Sequence, residues 1–307
     1  MSKFKSLTLV IAGFAFIGLN AQSLNDGVYM PKKNICGGFM YMHDSWDKYW
    51  EGTFKRTNEN IGTITTEGIA FGATYGITDK LNVSAMLPYI WTQASEGTLT
   101  GLKGFQDLTA GLKYNAFTTK FLKGIFDINA IAGFSLPVSN YVADLQPVSI
   151  GLHSNTAFGR AMIRYAHSSN LSFTAYATYS LRQNVTIDRN TYYTDHLIYS
   201  NEVAMPDVFN FNLKLGYFSY RWAAEVFYDN TDCQGGFDIR RNDMPFISNE
   251  MDMTRVGFMG HYRIKALSDI QIVGSIANTI SGRNVGESTT FTLGLFKILD
   301  FNNKTKN

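Results

Sequence analysis

Asp107-Leu108-Thr109-Ala110-Gly111-Leu112-Lys113-Tyr114-Asn115 alternates without a break. Leu108, Ala110, Leu112 and Tyr114 fall on one side of an extended chain; Asp107, Thr109, Gly111, Lys113 and Asn115 fall on the other. Successive side chains of a strand point to opposite faces, so this stretch has an apolar face and a polar face. The same period of two recurs on both sides of it. Leu81, Val83, Ala85, Leu87, Tyr89 and Trp91 share a face, as do Phe209, Phe211, Leu213, Leu215 and Tyr217, and again Val256, Phe258, Gly260, Tyr262 and Ile264.

Alternation alone would also suit a soluble sandwich. Three features favour a membrane barrel. The alternating stretches are long enough to cross a hydrocarbon core at a tilt of about 45°, which takes roughly 9–11 residues, whereas strands of globular proteins commonly run to about 5 or 6. Aromatics such as Tyr89, Trp91, Tyr114, Tyr165, Trp222 and Tyr262 recur near their ends, as interfacial girdles require. The third feature is connection length. Strands are expected at 34–42, 62–76, 80–92, 105–117, 124–136, 151–166, 170–183, 207–218, 221–229, 254–265, 269–280 and 289–299. The links between them are alternately short (for example 77–79, 167–169 and 219–220) and long (43–61, 93–104, 137–150, 184–206, 230–253 and 281–288). Outer-membrane barrels have tight periplasmic turns and longer outer loops. The expected fold is therefore all-β: an antiparallel up-and-down transmembrane barrel of about twelve strands with both termini in the periplasm.

Composition agrees. Of 307 residues 17% are charged and 14% aromatic, with 27 Gly and 6 Pro. The formal net charge of +2 leaves no nucleic-acid footprint, and a mean hydropathy of −0.10 excludes a bulk helical membrane protein. Lys3 and Lys5 precede an apolar run from Leu7 to Leu19, followed by Ala21-Gln22. This is the pattern of a secretory signal peptide over residues 1–21, leaving 22–307 as one barrel domain in the outer membrane of a Gram-negative bacterium. Strand-like sequence begins by about residue 34, so no plug-like N-terminal domain is expected.

The polar faces should point into the lumen, because a charge facing lipid costs about 2–4 kcal/mol at the midplane. Lys214→Ala should accordingly spare insertion and Leu213→Arg impair it. Parity turns inward Asp107, Lys113, Asp127, Asn129, Arg160 and Arg164 from the first half of the chain, and Lys214, Glu225, Arg255, His261 and Arg263 from the second. Basic groups outnumber acidic ones. They form either a water-filled waist that favours anions or polarised solutes, or a paired network that fills and rigidifies the barrel. Neither an enzyme nor a cofactor is expected: no Gly-x-Ser-x-Gly elbow occurs, and His261 sits among lumen-facing arginines. Met40, Met42, His43 and Asp44 near the first long loop have no diagnostic metal spacing. The fifth long loop is read as carrying Asp229, Asp232, Asp238, Asp243, Glu250 and Asp252, which lack the spacing of a calcium site, so no metal is assigned. Tyr192, Tyr193, His196, Leu197, Ile198 and Tyr199 of the fourth loop would either fold inward as a lid or pack on neighbouring loops. Cys36 and Cys233 fall at opposite ends of the barrel, too far apart for a disulfide.

The stretch Tyr75-Gly76-Ile77-Thr78-Asp79-Lys80-Leu81-Asn82-Val83, running into Met86-Leu87-Pro88-Tyr89, resembles a family of outer-membrane proteins described as "putative MetA-pathway of phenol degradation". So do Gly104-Phe105-Gln106-Asp107-Leu108-Thr109-Ala110-Gly111-Leu112-Lys113-Tyr114 and Phe134-Ser135-Leu136-Pro137. These motifs lie in the first half of the barrel and are strand-and-turn grammar rather than chemistry. The resemblance implies passage of small aromatic or hydrophobic compounds and supplies no ligand residues. Its partners would be outer-membrane lipid and small-molecule solutes. A non-conducting barrel that presents its loops as a binding or adhesive surface is the alternative. Substrate, gating and oligomeric state stay open.

Overall fold

Long alternating strands satisfy every backbone polar group only when paired on both sides, and in a membrane that means closing on themselves. The computed structural model, which describes residues 23–241, 243–265 and 270–302, does this with twelve antiparallel strands of 11 to 15 residues. In chain order they are β1 (Asn34–Trp46), β2 (Ile64–Thr78), β3 (Leu81–Ala94), β4 (Asp107–Phe121), β5 (Gly124–Pro137), β6 (Thr156–His167), β7 (Leu171–Arg182), β8 (Val208–Phe218), β9 (Trp222–Cys233), β10 (Asp252–Ile264), β11 (Ile270–Arg283) and β12 (Thr289–Asp300). Each pairs with its neighbour in sequence, and β1 closes the ring on β12 from Asn34↔Asp300 to Ser45↔Thr289. A short strand, Lys103–Phe105, runs ahead of β4 along the outer part of β3. The expected signal peptide lies outside the described residues.

The strands reach further at their outer ends than the sequence pattern marked. β1 continues to Trp46, β9 to Cys233 and β11 to Arg283. Residues 151–155, expected in a strand, are irregular. Beyond the lipid the alternation weakens, since neither face meets a single solvent. Within the membrane it holds: Phe71, Leu112, Phe173, Leu215, Phe258 and Leu293 are exposed on the outer surface, while Thr74, Lys113, Asn129, Thr174, Asn212 and Glu225 are buried on the inner one. This inverts the soluble rule because here the outside is the oil.

Three outer loops form a core of their own. Ala143 from the third loop, Val185, Ile187, Tyr192, Val203 and Met205 from the fourth, and Phe246 and Ile247 from the fifth are mutually buried. Tyr192 stacks on Phe246 with ring centroids 5.4 Å apart, so the aromatic fourth loop packs on its neighbours. A polar staple joins the first, fifth and sixth loops. Arg283 grips Asp238 through Nε and Nη2 (2.7 and 2.8 Å) and Glu250 through Nη1 (3.0 Å). Asn284, in the left-handed conformation its short amide tolerates, donates to Asp238 Oδ1 and the Glu250 carbonyl, and accepts from the Gly52 and Ile239 amides. Asp238 and Glu250 of the fifth loop therefore have individual partners, as do Asp243, paired with Arg240 at 2.6 Å, and Asp252, which accepts from the Cys233 amide (2.8 Å). Asp229 is not a loop residue at all; it lies in β9 facing the lumen. No disulfide forms among the described residues: Cys36 pairs in register with Ile298 near the short-turn end, and Cys233 with Val208 at the other.

Candidate functional site

The lumen has two unlike walls. From β11 through β12 and β1 to β3 the inward side chains carry no charge between Asp44, near the outer end of β1, and Asp300, at the short-turn end of β12. They include Met40, Met42, Ala70, Met86, Val273 and Phe296. From β4 to β10 the wall is ionic: Lys113, Asp127, Arg160, Arg164, Lys214, Glu225, Asp229 and Arg255. Between the walls lies a cavity of about 800 Å³.

Against the ionic wall runs the stretch Ser23 to Tyr29, for which the alternation predicts no strand. The Lys113 ammonium, fully buried, donates to the carbonyls of Ser23 (2.8 Å), Asp26 (3.2 Å) and Val28 (2.7 Å) and to the Asp26 carboxylate (3.2 Å). Arg160 Nη1 reaches the Leu24 carbonyl (2.8 Å) and the Asn25 side chain, and Lys214 Nζ the Asn25 carbonyl (2.9 Å). Tyr29 donates to Asn129 Oδ1 (2.9 Å). Leu24 packs beside the buried cluster of Ile131, Met162 and Tyr176. Buried cations need full sets of acceptors, and main-chain carbonyls supply them here.

The segment leaves the lumen at the short-turn end under a two-bond clamp. Asn82 accepts from the Met30 amide (2.8 Å) and donates to the Met30 carbonyl (2.9 Å), and the Lys33 amide bonds the Gly76 carbonyl (2.8 Å). A Cβ at Gly76 would overlap the Met30 and Pro31 carbonyl oxygens. This close approach explains the glycine of the Tyr75-Gly76-Ile77 motif.

Several of the remaining inward residues are tied to one another. Asp127 accepts from Thr118 (2.7 Å) and Asn115 (3.3 Å) and pairs with Arg164 at 3.8 Å. A bulge between Asn115 and Phe117 turns both Asn115 and Thr118 toward it. Arg255 bonds Asp229 (3.0 Å), which also accepts from Asn212 (2.8 Å). Arg160 lies over the Tyr176 ring at 4.2 Å. Glu225 is buried on β9, and His261 faces Phe218 with ring centroids 6.5 Å apart. Two predicted residues lie away from this middle region. Asp107 is at the outer end, accepting from Tyr141 (2.5 Å), and Arg263 is at the short-turn end over Tyr220 (5.6 Å). Burial, then the Asp107 contact, pushes the Tyr141 hydroxyl well above its ordinary pKa. Met40 and Met42 face the cavity, whereas His43 faces outward beside Glu67 (3.4 Å).

A closed twelve-stranded sheet, oily outside, with a two-walled lumen holding its own N-terminal stretch, defines an outer-membrane β-barrel. The chain belongs to the family described as "Putative MetA-pathway of phenol degradation", whose model matches residues 52–295. The fold is similar to that of a structure described as the COG4313 outer membrane channel from Pseudomonas putida F1, at 14% identity and a TM-score of 0.71, covering 90% of this chain and 100% of that one. Weaker likenesses are to the NanC porin (8% identity, TM-score 0.46, covering 83% and 98%) and the translocator domain of the autotransporter NalP from Neisseria meningitidis (11%, 0.45, covering 86% and 87%). No curated protein sequence matches the chain.

Proposed function

We propose that the protein is an outer-membrane channel for small apolar or aromatic solutes, closed at rest by its own N-terminal segment. The observation that carries this is the division of the lumen: a continuous uncharged arc with methionines on one side, and a segment pinned to cations on the other. A small apolar solute gains by transfer from water to such an arc, at about 25 cal/mol per Å² of apolar surface covered. The family description, with its reference to phenol degradation, supports the same solute class. The inward cations become a basic waist only when the segment departs and takes Asp26 with it; until then their role is to hold the segment. A transport rather than catalytic role is supported by the lumen chemistry, in which the inward histidine has an aromatic ring for a neighbour.

The packed core of the third, fourth and fifth loops favours a second reading, a barrel whose work is done by a rigid outer surface. Single-channel current from folded protein in a planar bilayer separates the two. Deleting Ser23 to Val28 is expected to raise conductance over the intact protein and to give anion preference under a salt gradient. Silence from the deleted protein, shown folded by heat-modifiable gel mobility, would remove the channel reading and leave the loop surface.

A further inference from the structure

The charges outside the lumen are sorted by end. On the loop side, carboxylates outnumber Lys and Arg roughly twofold. On the short-turn side the balance reverses. Lys80 follows β2, Lys120 and Lys123 frame the turn after β4, Arg221 precedes β9, Lys265 follows β10, and Lys297 stands on the lipid face of β12; all are exposed. Lys32 and Lys33 add to them beside the exit of the segment. The described carboxylates at this end are Asp79, which accepts from the Lys32 amide, and Asp300, which accepts from Asn302. Among the described residues none of these eight basic groups makes an ion pair.

Aromatic and apolar side chains of the kind found at a headgroup layer stand beside these charges. Tyr217 and Trp222 stack at 5.2 Å beside Arg221, and Leu122, 71% exposed, lies in the turn between Phe121 and Lys123. Lys265 lies over Tyr220 at 5.2 Å. Apolar and aromatic side chains that enter the interface next to long basic ones are the arrangement by which Lys and Arg snorkel toward phosphates. The basic groups are spread over separate turns around the rim, as annular lipid would require, rather than gathered into one patch that a protein would cover.

We propose that the short-turn rim is a binding surface for anionic phospholipid headgroups of the inner leaflet, of the phosphatidylglycerol type. It rests on the barrel's orientation and is independent of whether the lumen conducts. Trp222 provides the reporter, because the other tryptophans, Trp46, Trp50 and Trp91, are at the loop end. The full chain with Trp46, Trp50 and Trp91 replaced by Phe is reconstituted in phosphatidylethanolamine vesicles doped with brominated phosphatidylglycerol or brominated phosphatidylethanolamine, and quenching gives the relative binding of the two lipids. Phosphatidylglycerol is expected to be preferred about fivefold, as for one basic contact at an anionic surface. Lys120→Ser/Lys123→Ser/Arg221→Ser/Lys265→Ser should bring the ratio to about one. A chain retaining only Trp91 should show no preference. If the fourfold variant does not fold, the pairs Lys120→Ser/Lys123→Ser and Arg221→Ser/Lys265→Ser should each lower the ratio. Equal quenching by both lipids in the Trp222 chain, a preference that survives charge removal, or the same preference at Trp91 overturns the proposal; the first two results would leave the basic rim to a protein partner.

Discussion

The Lys113 ammonium lies in a fully buried site in which each acceptor comes from the N-terminal segment. If the segment moves out to water, as the proposed gating requires, removing the charge does not strand those carbonyls. Lys113→Met is therefore expected to release the segment rather than unfold the barrel. Hydrogen bonds to a charged group contribute about 1.5–3 kcal/mol, so the displaced state should gain about tenfold to a hundredfold in population, read as more frequent open events at unchanged heat-modifiable mobility. Unchanged gating in Lys113→Met would mean that the Asn82 clamp and Leu24 hold the segment without it. Alternation along β4 places Lys113 on the same side as Asp107 and Asn115, and so makes its lumen position legible. Its partners are not legible, because Ser23 to Val28 has no periodicity and makes no repeated pairing. The one trace is arithmetical: inward cations exceed inward carboxylates in the sequence, and buried cations need acceptors from somewhere.

At the scale of the element, the twelve strands were readable because each crosses between the same two solvents and repeats the same alternation. Their outer ends were not, because past the membrane β1, β9 and β11 continue where polarity no longer distinguishes the faces. Loop structure was legible only as composition. Tyr192 and Ile198 mark an apolar loop, but that they pack with Phe246 from another loop follows from the three-dimensional arrangement of the strand ends. The staple at Asp238 is similarly hidden in an acidic stretch. The Arg283 guanidinium, then the Asn284 amide, hold the Asp238 carboxyl below its ordinary pKa of about 4. A carboxyl depressed in the folded state contributes stability that is complete above its unfolded pKa and disappears as pH falls through the folded one. The Gly52 and Ile239 amides, which bond Asn284, should thus stay protected from hydrogen exchange at neutral pH and lose protection only below the usual carboxylate range. Asp238→Asn should weaken that protection at neutral pH and flatten its pH dependence. Protection that persists in acid would place the hold on these loops in their apolar core instead.

The whole molecule has three environments rather than two: lipid outside, and within the lumen an ionic wall and an uncharged arc. The distinction within the lumen is visible in the sequence once parity is assigned, since between Asp44 and Asp300 the inward positions of β1, β2, β3, β11 and β12 are uncharged, Met40, Met42, Met86, Val273 and Phe296 among them, while those of β4 to β10 carry the charges. What parity does not reveal is that the segment occupies one wall only and leaves the other facing the cavity. That asymmetry makes a test specific to the arc. Met86→Glu places a charge in the cavity wall, at a position whose neighbours in register, Gly72 and Thr109, leave it room. Because this position faces the lumen cavity and not lipid, the barrel should insert and fold normally, unlike a variant carrying a charge on the lipid face, which would cost about 2–4 kcal/mol. An apolar solute lying along the arc would lose roughly 40 Å² of apolar contact, about 1 kcal/mol or fivefold in affinity. Measured with the segment deleted, binding of a small fluorescent aromatic should fall by about that factor, while ion conductance should change in selectivity toward cations rather than disappear. If aromatic binding is unaffected while selectivity shifts, solutes pass along the ionic wall vacated by the segment, and the methionine arc serves only to fill space.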